Sequence, residues 1–226
     1  MYWDDAGYLL SKNRYNENSI IAEFYTENHG KCPGIIFGAT SKKIKNYLQV
    51  GNQLFLNHNY KSETRIGYFK VEISKAYTPY YFEDKEKLLC IVSAMNLVKL
   101  LTVDLQSNFN VYNLLNNFYP IFNHEDWVKK YIFWELKLLE IVGYNLQLNK
   151  ITQSEIVNNK KKYFVSSNSE KKYIPNFLID NDEKNLDKKN LSRGLKLVGD
   201  FLEKNVLKPN NINHPNARLE FVNLFK

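Results

Sequence analysis

Cysteine is almost missing from this 226-residue chain: Cys32 and Cys90 stand far apart, and neither lies in a paired motif. That excludes a disulfide framework and a four-cysteine zinc site, so both thiols are expected to be reduced and structural. The four histidines, His29, His58, His124 and His214, lack metal-ligand spacing, and no Gly-x-x-x-x-Gly-Lys-Ser/Thr run offers a phosphate cradle. No apolar stretch approaches the ~20 residues that span a bilayer. The opening Met1-Tyr-Trp-Asp-Asp5 carries neither the positive start nor the apolar run of a secretory signal. The expectation is a soluble cytoplasmic protein with no membrane partner and no cofactor. Acid pairs such as Asp4 with Asp5, or Asp180 with Asp182, read as turn or solvated-surface residues, and no Ser/His/Asp arrangement stands out. An enzyme is not expected.

What is present is positive charge and two kinds of hydrophobic pattern. The formal net charge of +7 favours a polyanionic partner, and nucleic acid is the commonest one. Ten basic and seven acidic residues fall within 1–80, against 21 and 17 in the remainder, so no single segment is a cationic tail. Tyrosine, lysine, asparagine and isoleucine are heavily used, a bias expected of an AT-rich genome, so the tyrosines carry no weight by themselves.

From Tyr8 to Ser74 short runs rich in Ile, Phe, Val and Tyr are separated by Asn, Gly and charged residues. Five strands fit: 8–12, 19–26, 34–37, 51–60 and 67–74. In the last, Phe69, Val71 and Ile73 share one face while Tyr68, Lys70 and Glu72 share the other, and Leu54 and Leu56 oppose Phe55 in the fourth. Turn signals at Glu27-Asn-His-Gly30 and Lys61-Ser-Glu-Thr64 suit a small closed barrel, which removes exposed edges. Periodicity allows an oligonucleotide-binding (OB) barrel and an SH3-like one alike.

After Pro79 the period changes to about 3.6. Leu88, Ile91, Val92, Met95 and Val98 mark one helix, 111–122 a second, and 125–142 a third that is apolar nearly all round and ends at Gly143. Thr152-Gln-Ser-Glu155 has capping-box spacing and is expected to open a short helix. Lys160 to Tyr173 reads as a hairpin around a Ser/Asn turn, the run to Asn185 as loop, and helical pattern returns with Leu191, Leu195, Val198 and Leu202 and again after Pro215.

Three segments look like a known family. Ser19-Ile-Ile-Ala-Glu-Phe-Tyr-Thr-Glu-Asn-His-Gly-Lys31 followed by Gly38-Ala-Thr-Ser-Lys-Lys43 resembles the second and third strands of the RecO recombination mediators. Phe133-Trp-Glu-Leu-Lys-Leu-Leu-Glu-Ile-Val-Gly-Tyr144 is similar to that family's Phe-Glu-Leu-x-Leu-Leu-x-x-x-Gly-Tyr segment, and Asn213-His-Pro-Asn-Ala-Arg-Leu-Glu-Phe221 resembles the Pro-x-Ala-Arg ending of some members. There are two departures. The four cysteines that many members carry after the Gly-Tyr are missing, since 145–173 holds neither Cys nor His, so no zinc-finger module is carried over. Phe37 stands where a Lys is usual, and Lys42 and Lys43 replace arginines and lack their bidentate fork.

The resemblance implies an α+β protein with an OB-type barrel over 1–76 and an α-helical domain over 77–226, carrying the hairpin near 160–173. It implies a nucleoid-associated DNA repair and recombination protein that binds single- and double-stranded DNA and anneals complementary strands. It also implies that the protein works with RecR to load RecA onto DNA coated by single-strand binding protein, whose acidic, Phe-ended C-terminal tail it grips. A protein-binding adaptor and a plain single-strand coating protein are the competing readings. For DNA, the candidate cations are Lys12, Arg14, Lys31, Lys42, Lys43, Lys45, Arg65 and Lys70, with Tyr68 as a stacking platform. Each of these also reads as an ordinary solvated side chain. For the tail, Lys129, Lys130 and Lys137 flank Phe133 or Trp134, at least one of which belongs to the core. Lys160, Lys161, Lys162, Lys171 and Lys172 form the densest basic cluster, read first as a solvated loop and second as a DNA contact in place of the zinc module.

Overall fold

A computed structural model describes residues 2–60, 66–167, 170–180 and 186–226. It is a mixed α+β protein with an N-terminal five-stranded sheet and helices after it. The chain divides into two compact units, Met1–Tyr119 with Pro215–Phe221, and Pro120–His214 with Val222–Lys226.

Strands β1 (Tyr2–Arg14), β2 (Ser19–Thr26), β3 (Gly30–Phe37), β4 (Gln53–Asn59) and β5 (Gly67–Lys75) close in the order β1-β2-β3-β5-β4, with helix α1 (Lys42–Tyr47) between β3 and β4. β1 serves both ends of the closure, pairing with β4 through Tyr2–Tyr8 and with β2 through Gly7–Arg14. A register shift between Leu9 and Ser11 bends it from one partner to the other. Among the described residues the strands of this sheet pair antiparallel except β3 with β5, which run parallel and meet at Gly34↔Gly67 and Ile35↔Tyr68. Space dictates those glycines. A Cβ on Gly34 would sit 2.3 Å from the Phe69 ring, and one on Gly67 would sit 2.2 Å from His58 Nε2. The core behind them comprises Leu9, Phe24, Ile36, Leu48, Leu54, Leu56 and Phe69, with Ile44 and Tyr47 of α1 packed on it. Each large side chain so buried is worth about 1.5–3 kcal/mol.

Strand β1 starts six residues earlier than its sequence suggests. The signal is missing there because Asp4, Asp5, Ala6 and Gly7 are poor strand formers, and because Asp5 is not a surface acid. Its carboxylate is buried and accepts from Asn28 N (2.9 Å), Asn28 Nδ2 (3.0 Å) and His29 Nδ1 (2.9 Å), fixing the β2–β3 turn, while His29 stacks on Trp3 at 4.0 Å. His58 packs between Trp3 and Phe69, and burial holds its imidazole below the usual histidine range, with His29 adding to the effect.

Helices α2 (Lys85–Leu101) and α3 (Phe109–Asn116) belong to the first unit. Asp84 caps α2 by accepting from Lys87 N (3.0 Å), and Asn108 caps α3 by accepting from Asn110 N and Val111 N. Tyrosines bind these helices to the sheet: Tyr8 donates to Asn116 Oδ1 (2.8 Å), Tyr119 donates to the Gly51 carbonyl (2.6 Å), and Tyr77 and Tyr119 stack at 3.9 Å.

The second unit contains α4 (Trp127–Ile141), α5 (Leu148–Ile151), a three-stranded sheet β6-β7-β8 (Gln153–Val157, Lys160–Ser167, Glu170–Ile174), α6 (Phe177–Asp180) and α7 (Lys188–Leu202). The last helix, α8 (Asn216–Asn223), follows. The expected hairpin is present and gains a third strand, because the run from Gln153 pairs as β6 with β7 instead of opening a helix. Phe177, fully buried, turns part of the expected loop into α6. Asp180 accepts from Tyr163 Oη at 2.5 Å; Asp182 and the turns at 61–64 and 168–169 lie outside the described residues.

If closure depends on the space left at Gly34, Gly34→Ala will cost about 1–3 kcal/mol of stability, the usual penalty for overpacking a filled core. Urea denaturation reads this directly, and a variant as stable as the parent would mean that Phe69 gives way freely.

Candidate nucleic-acid interface

Helix α1 sorts its side chains by necessity. Ile44 and Tyr47 face the barrel core, which leaves Lys42, Lys43 and Lys45 exposed on the opposite side. Lys12, near the end of β1, donates its ammonium to the Leu48 carbonyl just past α1. Burial lowers its pKa, and the nearby charge of Lys45 lowers it further. Arg14 is exposed two residues on, its Nε 3.3 Å from the Asn16 carbonyl in the β1–β2 turn. Among the described residues, no carboxylate pairs with any of these five cations.

The same sheet has an apolar outer face. Asn13, Ile21, Ile35 and Tyr68 stand in one register row across β1, β2, β3 and β5. Phe37 is 57% exposed and its ring lies 6.0 Å from that of the half-buried Tyr68. Phe37, Ile21 and Ile35 are missing from the residues singled out in the sequence. The signal was available, since alternation along β3 puts Phe37 and Ile35 on one face, yet Phe37 reads there only as a lost lysine.

Two candidate cations stand elsewhere. Lys31 has only 13% of its side chain exposed; its Nζ pairs with Asp104 Oδ1 at 3.1 Å and donates to the Lys99 carbonyl at 2.9 Å. Leu105 N donates to the Lys31 carbonyl at 2.9 Å, so this lysine clamps the α2–α3 connection onto β3. Lys70 is exposed but lines a separate cleft of about 570 Å³ with Asp4, Asp5 and Glu72 beside Phe55. Arg65 lies outside the described residues.

In the second unit, Phe133 and Lys137 of α4 line a cleft of about 600 Å³ with Leu136, Leu146, Leu148, Lys150 and Leu178. Lys137 Nζ rests 2.9 Å from Glu140 Oε2, and the Phe133 ring meets Phe177 edge-on at 6.3 Å. Lys129 does not join them. It is buried, Lys130 is half-buried outside the cleft lining, and Trp134 is core, stacked on Tyr131.

Among the described residues no group of three or more His, Cys, Asp or Glu could hold a metal ion, and no helix is long and apolar enough to cross a membrane. Both cysteines are buried thiols outside any disulfide, and burial pushes the Cys32 thiol up to about 12.

Comparison with known proteins bears on these surfaces. A family model described as "Recombination protein O N terminal" matches residues 1–77, and one described as "Recombination protein O C terminal" matches residues 83–211. The chain is 30% identical over 231 residues to the DNA repair protein RecO of Rickettsia akari (strain Hartford), covering 96% of this chain and 95% of the relative. It is 26% identical over 230 residues to that of Ehrlichia chaffeensis, covering 93% of each. With that of Rickettsia canadensis it shares 32% identity over 165 residues, 73% of this chain and 67% of the relative.

The difference between a clamping lysine and an open one is measurable. Lys31→Met should lower stability by about 1 kcal/mol, the net worth of the polar contacts it loses, and leave affinity for a labelled oligonucleotide unchanged. Replacing Lys42, Lys43 and Lys45 together by Ala should do the reverse; equal loss of DNA affinity in both variants would contradict the distinction.

Proposed function

Because this chain belongs to the recombination protein O family, we propose that it is a DNA repair protein acting as a recombination mediator. In this reading it binds single- and double-stranded DNA, anneals complementary strands, and with RecR loads RecA onto DNA coated by single-strand binding protein. The barrel is of the OB type, a reading supported by its strand order β1-β2-β3-β5-β4 with a parallel β3–β5 contact. Barrels of that type use the face of strands 2 and 3 for oligonucleotides. The observation that carries the proposal is that one unit holds both things a single strand needs: Ile21, Ile35, Phe37 and Tyr68 offer stacking surface on that face, and Lys42, Lys43, Lys45, Lys12 and Arg14, paired with no carboxylate among the described residues, meet phosphates. Binding and annealing need no catalytic residue, and the bacterial nucleoid is where such a protein works.

Annealing of complementary oligonucleotides coated by the cognate single-strand binding protein tests this reading. The chain should accelerate it, and acceleration should fade as salt rises. Each phosphate contact to single-stranded DNA contributes about 0.7 to the slope of log affinity against log salt. Replacing Lys42, Lys43 and Lys45 by Ala should therefore flatten the slope by about 2. Tight binding without faster annealing would make the chain a coating protein, and no DNA binding at all would make it an adaptor.

The cleft around Phe133 suits the tail of single-strand binding protein: its leucines would house a terminal Phe while Lys137 and Lys150 meet carboxylates. A labelled acidic peptide ending in Phe should bind the chain, and Lys137→Glu with Lys150→Glu should weaken it at least tenfold. Retention of full affinity by that double variant would remove the tail from this cleft.

A further inference from the structure

We infer a second nucleic-acid site, built wholly within the second unit: a basic cleft between β7, β8 and α7 that takes single-stranded DNA. This rests on the reading that the chain binds DNA and adds a place where it does so. Lys160, Lys161 and Lys162 of β7, Lys172 of β8, and Arg193 and Lys196 of α7 line one opening of about 620 Å³. Among the described residues a single carboxylate, Asp200, lines it with them, and it is paired with Lys172 at 2.9 Å.

Charge alone does not make this a site; placement does. The lysine run is held in a strand, not in a solvated loop, since Lys160, Lys161 and Lys162 pair with Val157, Ile156 and Glu155 of β6. On the other side Asn176 Nδ2 donates to the Lys161 carbonyl at 2.7 Å. Helix α7 adds its own cations independently. Gly194, Leu195, Val198 and Leu202 are its buried face, so Arg193 and Lys196 are turned outward toward the strands. Two elements thus bring like charges together at a cost in self-repulsion that a bound polyanion would offset.

The neighbouring acids are already engaged. Glu155 takes the Lys171 ammonium and the Tyr173 hydroxyl (2.7 Å), and Asp180 takes the Tyr163 hydroxyl. Tyr173, 51% exposed in the cleft wall with the Lys162 ammonium 5.6 Å from its ring centroid, adds what a simple phosphate site lacks: an aromatic face among cations on which a base can stack. A cleft with one aromatic wall suits a single strand, whose bases are free to stack, better than a duplex.

The test uses the full chain and a labelled oligothymidylate, titrated at several salt concentrations. Replacing Lys160, Lys162, Arg193 and Lys196 together by Ala, all exposed side chains, should lower affinity at least tenfold and flatten the salt slope by about 3. Tyr173→Ala should cost about tenfold by itself, with Tyr173→Phe restoring most of it because the ring, not the hydroxyl, stacks. In a chain already lacking Lys42, Lys43 and Lys45, the residual binding should vanish when the cleft is neutralised. If the parent binds DNA and the cleft variant matches it in affinity and slope, the cleft proposal is overturned while the barrel reading stands. If the parent does not bind DNA, both fall. Loss of duplex binding alone, or of acidic-peptide binding alone, would overturn the single-strand assignment.

Discussion

The first unit hinges on a seam two residue pairs long. Among the described residues strands β3 and β5 meet where Gly34 faces Gly67 and Ile35 faces Tyr68. Two glycines in strands cost roughly 0.5–1 kcal/mol each in conformational entropy, and a side chain on either would collide with Phe69 or His58. What the seam gains is the Phe69 ring in the barrel centre, edge-on to Phe24 at 5.2 Å. It also sets the outer surface, because closing there carries Tyr68 alongside Ile35 and Phe37 and makes one face of three strands. The same closure leaves a barrel end that Ile44 and Tyr47 fill, and so turns the lysines of α1 outward. The proposed DNA surface is thus a by-product of how the barrel shuts.

The tyrosines were the least informative residues of the sequence and are among the most employed in the fold. Composition explains their number but not their positions. Tyr8, Tyr112 and Tyr119 are buried where the sheet meets α2 and α3, and each finds a hydrogen-bond partner there: Asn116, Gln53 and the Gly51 carbonyl. Burial raises the hydroxyl pKa of all three, that of Tyr112 to about 12. A phenol suits this seam because it brings a large apolar body and one satisfiable polar tip. Nothing local in the sequence distinguishes such a tyrosine from one that lies in solvent.

Legibility followed the range of the forces involved. Strand β5, with one wet face, announces itself by alternation, and α2 by its period and its Asp84 cap. The start of β1 was hidden because Asp4, Asp5, Ala6 and Gly7 carry no strand propensity. Helix α1 was hidden because six residues hold too little of a period. β6 was misread because capping-box spacing is a local signal, overridden here by pairing with β7. At the sites the same limit applies. Lys31 and Lys42 look equivalent in sequence, and what separates them is Asp104, brought to Lys31 by the α2–α3 connection. Lys129 shares its helix with Lys137, yet one side chain is buried and the other exposed, a difference set by packing around α4.

Net charge is a property of the sequence, whereas potential is a property of the fold. An excess spread evenly along the chain predicts a weak, featureless field. Folding sorts it instead. Lys31, Lys99 and Lys171 are drawn into pairs with Asp104, Glu23 and Glu155. Each pair removes one charge of either sign from the local field, so it leaves the net charge intact while concentrating the surplus where basic residues outnumber acids. Surplus positive charge is gathered on α1 and in the cleft of β7, β8 and α7, and in the cleft it stands beside the exposed Tyr173. At physiological salt, fields between exposed charges fade within about 8 Å, so only charges gathered at that range act together. A phosphate backbone therefore responds to the clusters and not to the total, and a chain of modest overall charge can still hold DNA.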